Sequence, residues 1–393
     1  MALPHSVPRP PSVQAWQQWW WALLIMLPSL PVSIRMLGAV LGVIACSGGL
    51  LAAFVAQRYI VNVQAATPAR RDLRVVLVVA LLASVVTAFA VLFPHFNSQL
   101  PGHGSDRDDA LNTAIAAVLH GEYPYARTTY LGNPITPLPG ALLLALPFWL
   151  LGNSAFQAVA WLAVWSAVLL AARRSWLTVF AIAASTLSPE ALRETLTGGD
   201  LLANGVYVAL AIWFTLQTVQ CKAPSPGCMS LAMLLLGVAL TSRPNFLLLL
   251  PVVFAAVARQ SGWRCALHLV GGACAVGLAL ALPFYFHAPE AFSPLHLGRK
   301  LQVPGAAWAQ PVLILAGVTL PLLLAWRTNA ERAFADCALV CAVPFLLATV
   351  VSVAVGQANL QMLGYVLCAI PFACLAMLRL PTGVRSATTT ATR

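Results

Sequence analysis

The chain alternates long apolar runs with short polar connections. Runs such as Leu73–Phe93, Ala266–Phe286 and Ala338–Val355 remain apolar for a full span length, enough for a helix to cross a hydrocarbon core of about 30 Å. The pattern predicts spans at 17–34, 36–56, 75–94, 154–172, 176–189, 201–219, 229–242, 244–258, 266–286, 311–326, 337–355 and 364–378. A membrane barrel would instead show short alternating segments. The run 138–152, LPGALLLALPFWLLG, is short and interrupted by Pro139 and Pro147. It reads as a re-entrant or partial span buried in protein. The expected fold is therefore all-α and polytopic, a single integral membrane domain over 1–393 with twelve spans.

Two connections are long, 95–137 and 287–310. In the first, GSDRDDALNTAIAAVLHG places Ser105 as a helix cap with Asp106, Asp108 and Asp109 around the first turn. Leu111, Ile115, Val118 and Leu119 then recur at helical spacing. That predicts an amphipathic helix lying along the membrane surface and ending at Gly121.

Composition strengthens the membrane reading. Hydrophobic residues make up 60% of the 393 and charged residues 8%, with a mean hydropathy of +0.83. A soluble domain would carry about a quarter charged residues. The opening MALPHSVPRPPSVQAW lacks a basic segment followed by a cleavage site, so no removed signal peptide is expected. The nine cysteines include no CxxC pair and sit mostly inside apolar runs, as small buried hydrophobes do.

The net charge of +11 would suggest nucleic acid in a soluble protein. No basic run here is interleaved with aromatics, so no nucleic-acid partner is expected. The arginines instead mark topology. With 138–152 not crossing, fifteen of the 22 basic residues fall on one side, which the positive-inside rule assigns to the cytoplasm, along with a short polar tail at 379–393. Eight of the eleven acids fall on the other side, with Arg35, Arg107, Arg127, Arg193, Arg243, Arg299 and Lys300. The cytoplasmic connections are too short to fold a nucleotide-binding domain. Any chemistry faces outward.

Three stretches carry candidate chemistry. Capping accounts for one or two of the crowded aspartates at about 0.3–1 kcal/mol each, but a third is opposed by its neighbours. Crowded carboxylates beside a low-dielectric membrane raise one another's pKa, which suits a general base. Asp106 and Asp109 share a helix face, and Asp108 points about 100° away from Asp109. Arg243, in LTSRPNFLLLLP, is either a hairpin tip reaching the interface or a cation facing a cavity and an anionic head group. In FYFHAPEAFSPLHLGRKLQVPG, Arg299 and Lys300 suit phosphate, as a catalytic contact or as a plain lipid contact. LTGGDLLANG and GQANLQMLGY place polar residues at span mouths, where helix caps are common.

The stretch DRDDALNTAIAAVLHGEYPY…NPITPLPGALLLALPFWLLG resembles the GT-C membrane glycosyltransferases, most specifically the bacterial mannosyltransferase-type branch that uses a polyprenyl-phosphate sugar. TGGDLLANG, TSRPNFLLLLP and GQANLQMLGY look like later landmarks of that branch in the same order. Two hydrophobic segments precede what is normally its first span, and Arg107-Asp108-Asp109 replaces its usual apolar or aromatic residues. The resemblance implies a multi-pass protein of the cell (inner) membrane with an extracytoplasmic active face. It implies transfer of a sugar, with inversion, from a polyprenyl-phosphate donor to a glycan or lipid acceptor. It implies a general base among Asp106, Asp108 and Asp109 and a donor phosphate held by Arg243, Arg299 or Lys300. Substrate contacts are expected from His120, Tyr123, Tyr125, Asn133 and Asp200. A divalent metal is compatible, since some relatives use one, although no ligand cluster demands it. The rival class is a multi-pass transporter or lipid flippase, which would favour two similar halves; no internal repeat is visible.

Overall fold

A computed structural model describes residues 20–63, 71–97, 105–221, 223–303, 305–357 and 359–378, with the side chains of 61–63, 71–72 and 297–300 left aside. The start of the chain, where the uncleaved N terminus was expected, and the tail 379–393 lie outside the described residues. Among the described residues the structure is helical, with one isolated bridge between Thr128 and Pro134.

Every expected span corresponds to a helix. They are α1 (Trp20–Leu37), α2 (Ala39–Val63), α3 (Arg71–Phe96), α6 (Phe156–Ala172), α7 (Trp176–Leu187), α9 (Leu201–Gln220), α10 (Pro226–Leu240), α11 (Pro244–Ser261), α12 (Trp263–His287), α13 (Ala309–Ala325), α14 (Ala333–Ala354) and α15 (Leu360–Leu378). Between them lie α4 (Arg107–Leu119), α5 (Pro139–Leu150) and a short α8 (Pro189–Leu196) that the sequence pattern did not announce. Eight helices are long and apolar enough to cross a membrane: α1, α2, α3, α9, α11, α12, α14 and α15. The helices α6, α7, α10 and α13 are apolar but shorter.

Burial ranks the helices. The α9 span is 78% buried and sits at the centre, against α6, α10, α11 and α15. Only 17% of α2 and of α3 is buried. Their outer faces expose Val40, Leu41, Ile44, Val76 and Val79, a surface suited to lipid and costly in water. In lipid, helices associate through close packing more than through the hydrophobic effect. The α10–α12 crossing shows this. A Cβ on Gly237 would lie 2.5 Å from the Ala273 carbonyl, and one on Gly277 would lie 2.5 Å from a Thr241 methyl.

Segment 138–152 forms one short helix, α5 (Pro139–Leu150), among the apolar helices shorter than a full span. Twelve residues of helix α5 span only about 18 Å. The Leu138 N–H donates to the Ser242 carbonyl and the Gly140 N–H to the Thr241 carbonyl, both 3.0 Å. Just past the far end, the Ser154 N–H donates to Asn112 of α4 at 2.9 Å. Its start is thus tied to the α10–α11 break and the turn after it to α4. At the opposite face of the bundle, arginines satisfy carbonyls at or just beyond helix C-termini: Arg74 donates to Arg174, Arg173 to Leu378, and Arg259 to Trp326 and Thr328.

The first-loop helix departs from expectation. Its N-cap residue is Asp106, not Ser105, and its regular turns end at Leu119. Nor does it lie loosely on a surface. Leu111, Ala114 and Ile115 are buried with Ile135, Leu138, Ala141 and Ala145, while Val118 and Leu119 are exposed. The four apolar positions therefore do not form one face, because the helix is wedged against α5.

Candidate functional site

The crowded aspartates have three different surroundings. Asp106 accepts from the Thr129 hydroxyl at 2.7 Å and from the Asn133 amide at 2.8 Å. Asp109 accepts the Tyr130 backbone N–H at 2.8 Å. These two carboxylates pin the tight 129–133 turn to the start of α4. That turn closes through the Asn133 carbonyl accepting from the Thr129 N–H, with Gly132 at a φ of 77°. Asp108 points the other way. It is 1% exposed, and neither of its oxygens has a hydrogen-bond partner among the described residues. The Cβ position of Gly198 lies 3.4 Å from its carboxyl carbon, with Phe93 and Ala155 lining the same place. Burial pushes the Asp108 carboxyl up to about 7, assisted by the charges of Asp109 and Asp106. The amides of Asp108 and Asp109 pull it down, as helix-end dipoles rather than as full hydrogen bonds.

A second wall comes from α8, the Gly198-Gly199 corner and the α10–α11 break. Gly198 has a φ of 72°, which suits glycine. A Cβ on Gly199 would lie 2.2 Å from the Glu194 carboxyl carbon. The two glycines let Glu194 tuck beneath the corner, where it accepts the Leu201 N–H at 2.9 Å, and they deliver Asp200 to the N-cap of α9. Three ion pairs follow: Arg107–Glu194, Arg193–Glu190 and Arg243–Asp200. Arg243 meets both Asp200 oxygens, and Asn204 donates to Asp200 at 3.0 Å. Tyr207 donates in turn to Asn204 at 2.6 Å. Burial alone would raise the Asp200 pKa, but the Arg243 guanidinium holds it below the usual carboxylate range. Burial would likewise lower Arg107, and Glu194 more than reverses it. The Arg107 guanidinium also lies 5.5 Å over the Tyr365 ring, a cation–π contact.

These walls enclose a cavity of about 630 Å³ at the face to which α5 is tied. Asp106, Asn133, Arg107, Arg193, Arg243, Arg35, Glu190, Gln361 and Tyr365 line it. It is open to both a carboxylate and a set of cations. Among the sequence-predicted residues, Asp106, Arg243 and Asn133 meet there.

Those of the others whose side chains are described do not line it. Asp108 is turned into the protein, and Asp109 is engaged with the loop backbone. Asp200 is fully buried behind Arg243, so it positions that arginine and does not touch a ligand. Tyr125 is buried among Tyr123, Phe284 and Phe292 and donates to the Pro137 carbonyl at 3.0 Å. Tyr123 donates to the carbonyls of Phe284 and Ala288 at 3.0 and 3.2 Å, with its ring 5.0 Å from that of His287. His120 is exposed at the end of α4, its Nδ1 2.7 Å from the Ala116 carbonyl. The side chains of Arg299 and Lys300 are not among those described.

Sequence reasoning passed over Arg35, Arg107, Arg193, Glu190 and Glu194. No motif marks them, but all fall on the outer side of the charge alternation, and that was the available signal. Among the described residues no group of three His, Cys, Asp or Glu could hold a metal ion. Around Asp106 the neighbours are donors, Thr129 and Asn133, which do not make a ligand set. Searches of protein-family models, curated proteins and solved structures return no match to this chain.

Proposed function

We propose that the chain is a membrane glycosyltransferase of GT-C type, with twelve crossings and its cavity on the extracytoplasmic face of the cell membrane. It moves a sugar from a polyprenyl-phosphate donor to a glycan or lipid acceptor. The observation that carries the reading is the convergence of Asp106 with the arginines at 35, 107, 193 and 243 on one cavity of about 630 Å³. A base and a phosphate-stabilising group have to face the same reacting carbon from opposite sides, and no other cluster of described residues offers both.

Asp106 is the general base. Thr129 and Asn133 orient its carboxylate toward the cavity. It takes the proton of the acceptor hydroxyl as that oxygen bonds to the anomeric carbon. The bond from that carbon to the phosphate oxygen breaks, and the configuration inverts. Negative charge grows on the departing phosphate, where Arg243 and Arg107 offer guanidinium donors already fixed by Asp200 and Glu194. Donors that need no rearrangement stabilise a transition state best.

The test is transfer from labelled polyprenyl-phosphate sugars by the purified full chain. Asp106→Asn should lower the rate about 10²- to 10⁴-fold, and Asp109→Asn far less. Undiminished transfer by Asp106→Asn overturns the assignment of the base. Transport of lipid or solute without transfer, surviving that change, would establish the transporter or flippase instead.

A further inference from the structure

The cavity's charges are unevenly committed. Arg107, Arg193 and Arg243 each pair with an acid, Glu194, Glu190 and Asp200 respectively. Arg35 lines the same cavity, is exposed, and makes no ion pair among the described residues. It comes from α1, one of the two hydrophobic segments that precede the family-like part of the chain. Its place is fixed from two sides. The Glu190 N–H donates to Ser29 of α1 at 3.2 Å, which ties that helix to α8. Gly42 of α2 presses on the α1 backbone, since a Cβ there would lie 2.5 Å from the Ile34 Cα. Gly38, at a φ of 81°, makes the turn between the two helices.

What adjoins Arg35 indicates the ligand. Pro31 and Val32, one turn earlier, line the cavity. Met36, Leu37, Val40 and Leu41, immediately after it, are 76%, 50%, 73% and 60% exposed. A free cation thus sits between a polar cavity and an exposed apolar strip belonging to the hairpin that faces lipid. An amphiphile matches both halves, and a soluble anion matches one. A cation near a helix C-terminus is favourable without any ligand, but that effect places no demand on an apolar strip beside it or on a cavity in front of it.

We propose that Arg35 is the capture residue for a lipid phosphate: it takes the phosphate at the cavity rim while the prenyl or acyl chain runs along Met36–Leu41. The inference rests on the reading of the cavity as a lipid-phosphate site and adds the α1–α2 hairpin as its lipid-side wall. Arg243 and Arg107, already paired, receive charge only as it develops during transfer. Arg35 supplies affinity in the ground state.

The experiment is binding by the full chain in nanodiscs of zwitterionic lipid, with farnesyl phosphate, farnesol and inorganic phosphate as probes. Wild type should bind farnesyl phosphate well and the other two poorly. Arg35→Gln should weaken farnesyl phosphate by roughly 10- to 100-fold, the loss of one charge-assisted hydrogen-bonding partner. Arg35→Lys should recover part of that, and Arg127→Gln, which does not line the cavity and pairs with Glu122, should match wild type. Arg35→Met, which keeps the aliphatic stem, should behave as Arg35→Gln does and guards against a folding defect. Farnesyl phosphate binding that is unchanged in Arg35→Gln and Arg35→Met overturns the role of Arg35 and leaves the cavity reading standing. Inorganic phosphate binding as tightly as farnesyl phosphate overturns the lipid wall. Absence of farnesyl phosphate binding in wild type removes both.

Discussion

Asp108 should make the protein less stable as pH rises through neutrality, and Asp108→Asn should abolish that loss. The folded-state carboxyl titrates at about 7, against an ordinary value of 3.8. Its neighbours are Gly198, Phe93 and Ala155, and the charged groups that act on it are Asp106 and Asp109. Between those two pH values the folded chain holds a proton that the unfolded chain has released. Stability therefore falls from about pH 4 to about pH 7 and levels off above. A gap of about three pK units at 1.36 kcal/mol each gives an upper bound of about 4 kcal/mol, reduced by any water that enters when the group ionises. Asparagine is close in shape and carries no charge. Asp108→Asn should match wild type at pH 4 to within about 1 kcal/mol and exceed it by several degrees at pH 8, at about 2 °C per kcal/mol or less for a large chain. A fluorogenic thiol dye reads the transition, because Cys337, Cys341, Cys368 and Cys374 are buried in the folded chain. The comparison is the difference between the two proteins at each pH, so other titrating groups cancel. A difference that is flat with pH, or a variant less stable than wild type at pH 8, would refute the account of Asp108.

The Arg243–Asp200 pair should behave asymmetrically. Asp200→Asn or Arg243→Leu alone should cost about 3–5 kcal/mol by stranding a buried charge, and the double change should cost less than the sum, as a double-mutant cycle in detergent would measure. Gly140→Val should detach α5 from α10, because any Cβ there would lie 2.2 Å from the Val238 carbonyl and 2.7 Å from that of Thr241. Protease sensitivity between 138 and 153 should rise sharply, and wild-type resistance in the variant would contradict that docking.

How much of this was readable beforehand varied with the kind of interaction. Apolar runs announce helices because burial in lipid leaves no other way to satisfy the backbone, so every expected span found its helix. The shortness of α5 was also legible, since its apolar run is brief and interrupted by prolines. Helical spacing separated Asp108 from Asp106 and Asp109, and the structure divides them the same way. Which side met the cavity was not legible, because that depends on what packs against α4. The pattern 106/108/109 looks the same whether Gly198 or the 129–133 turn lies above it. Arg35 and Arg193 were hidden for a related reason. Each lies in a stretch with its own local explanation, a helix end or an interface anchor, and only the fold brings them beside Arg243. Asp200 was noticed, but its burial against Arg243 was not legible, since that arginine is 43 positions away.

The separation of charge between the two ends also argues about mechanism, and native thiols can test its direction. An alternating-access carrier needs polar groups that can open toward both faces. Here the carboxylates and guanidiniums that line the cavity gather at one end, while at the other Arg74, Arg173 and Arg259 are committed to backbone carbonyls near helix ends. A polar cavity at one end suits a lipid-linked reaction at that surface. Cys221 directly follows α9 and Cys228 lies in the first turn of α10, at the arginine-capped end, and they alone among the cysteines are exposed. A membrane-impermeant maleimide should therefore miss both in intact cells and label both after permeabilisation, with no substitution needed. Labelling from outside would place the cavity in the cytoplasm, where a polyprenyl-phosphate sugar facing outward could not reach Asp106.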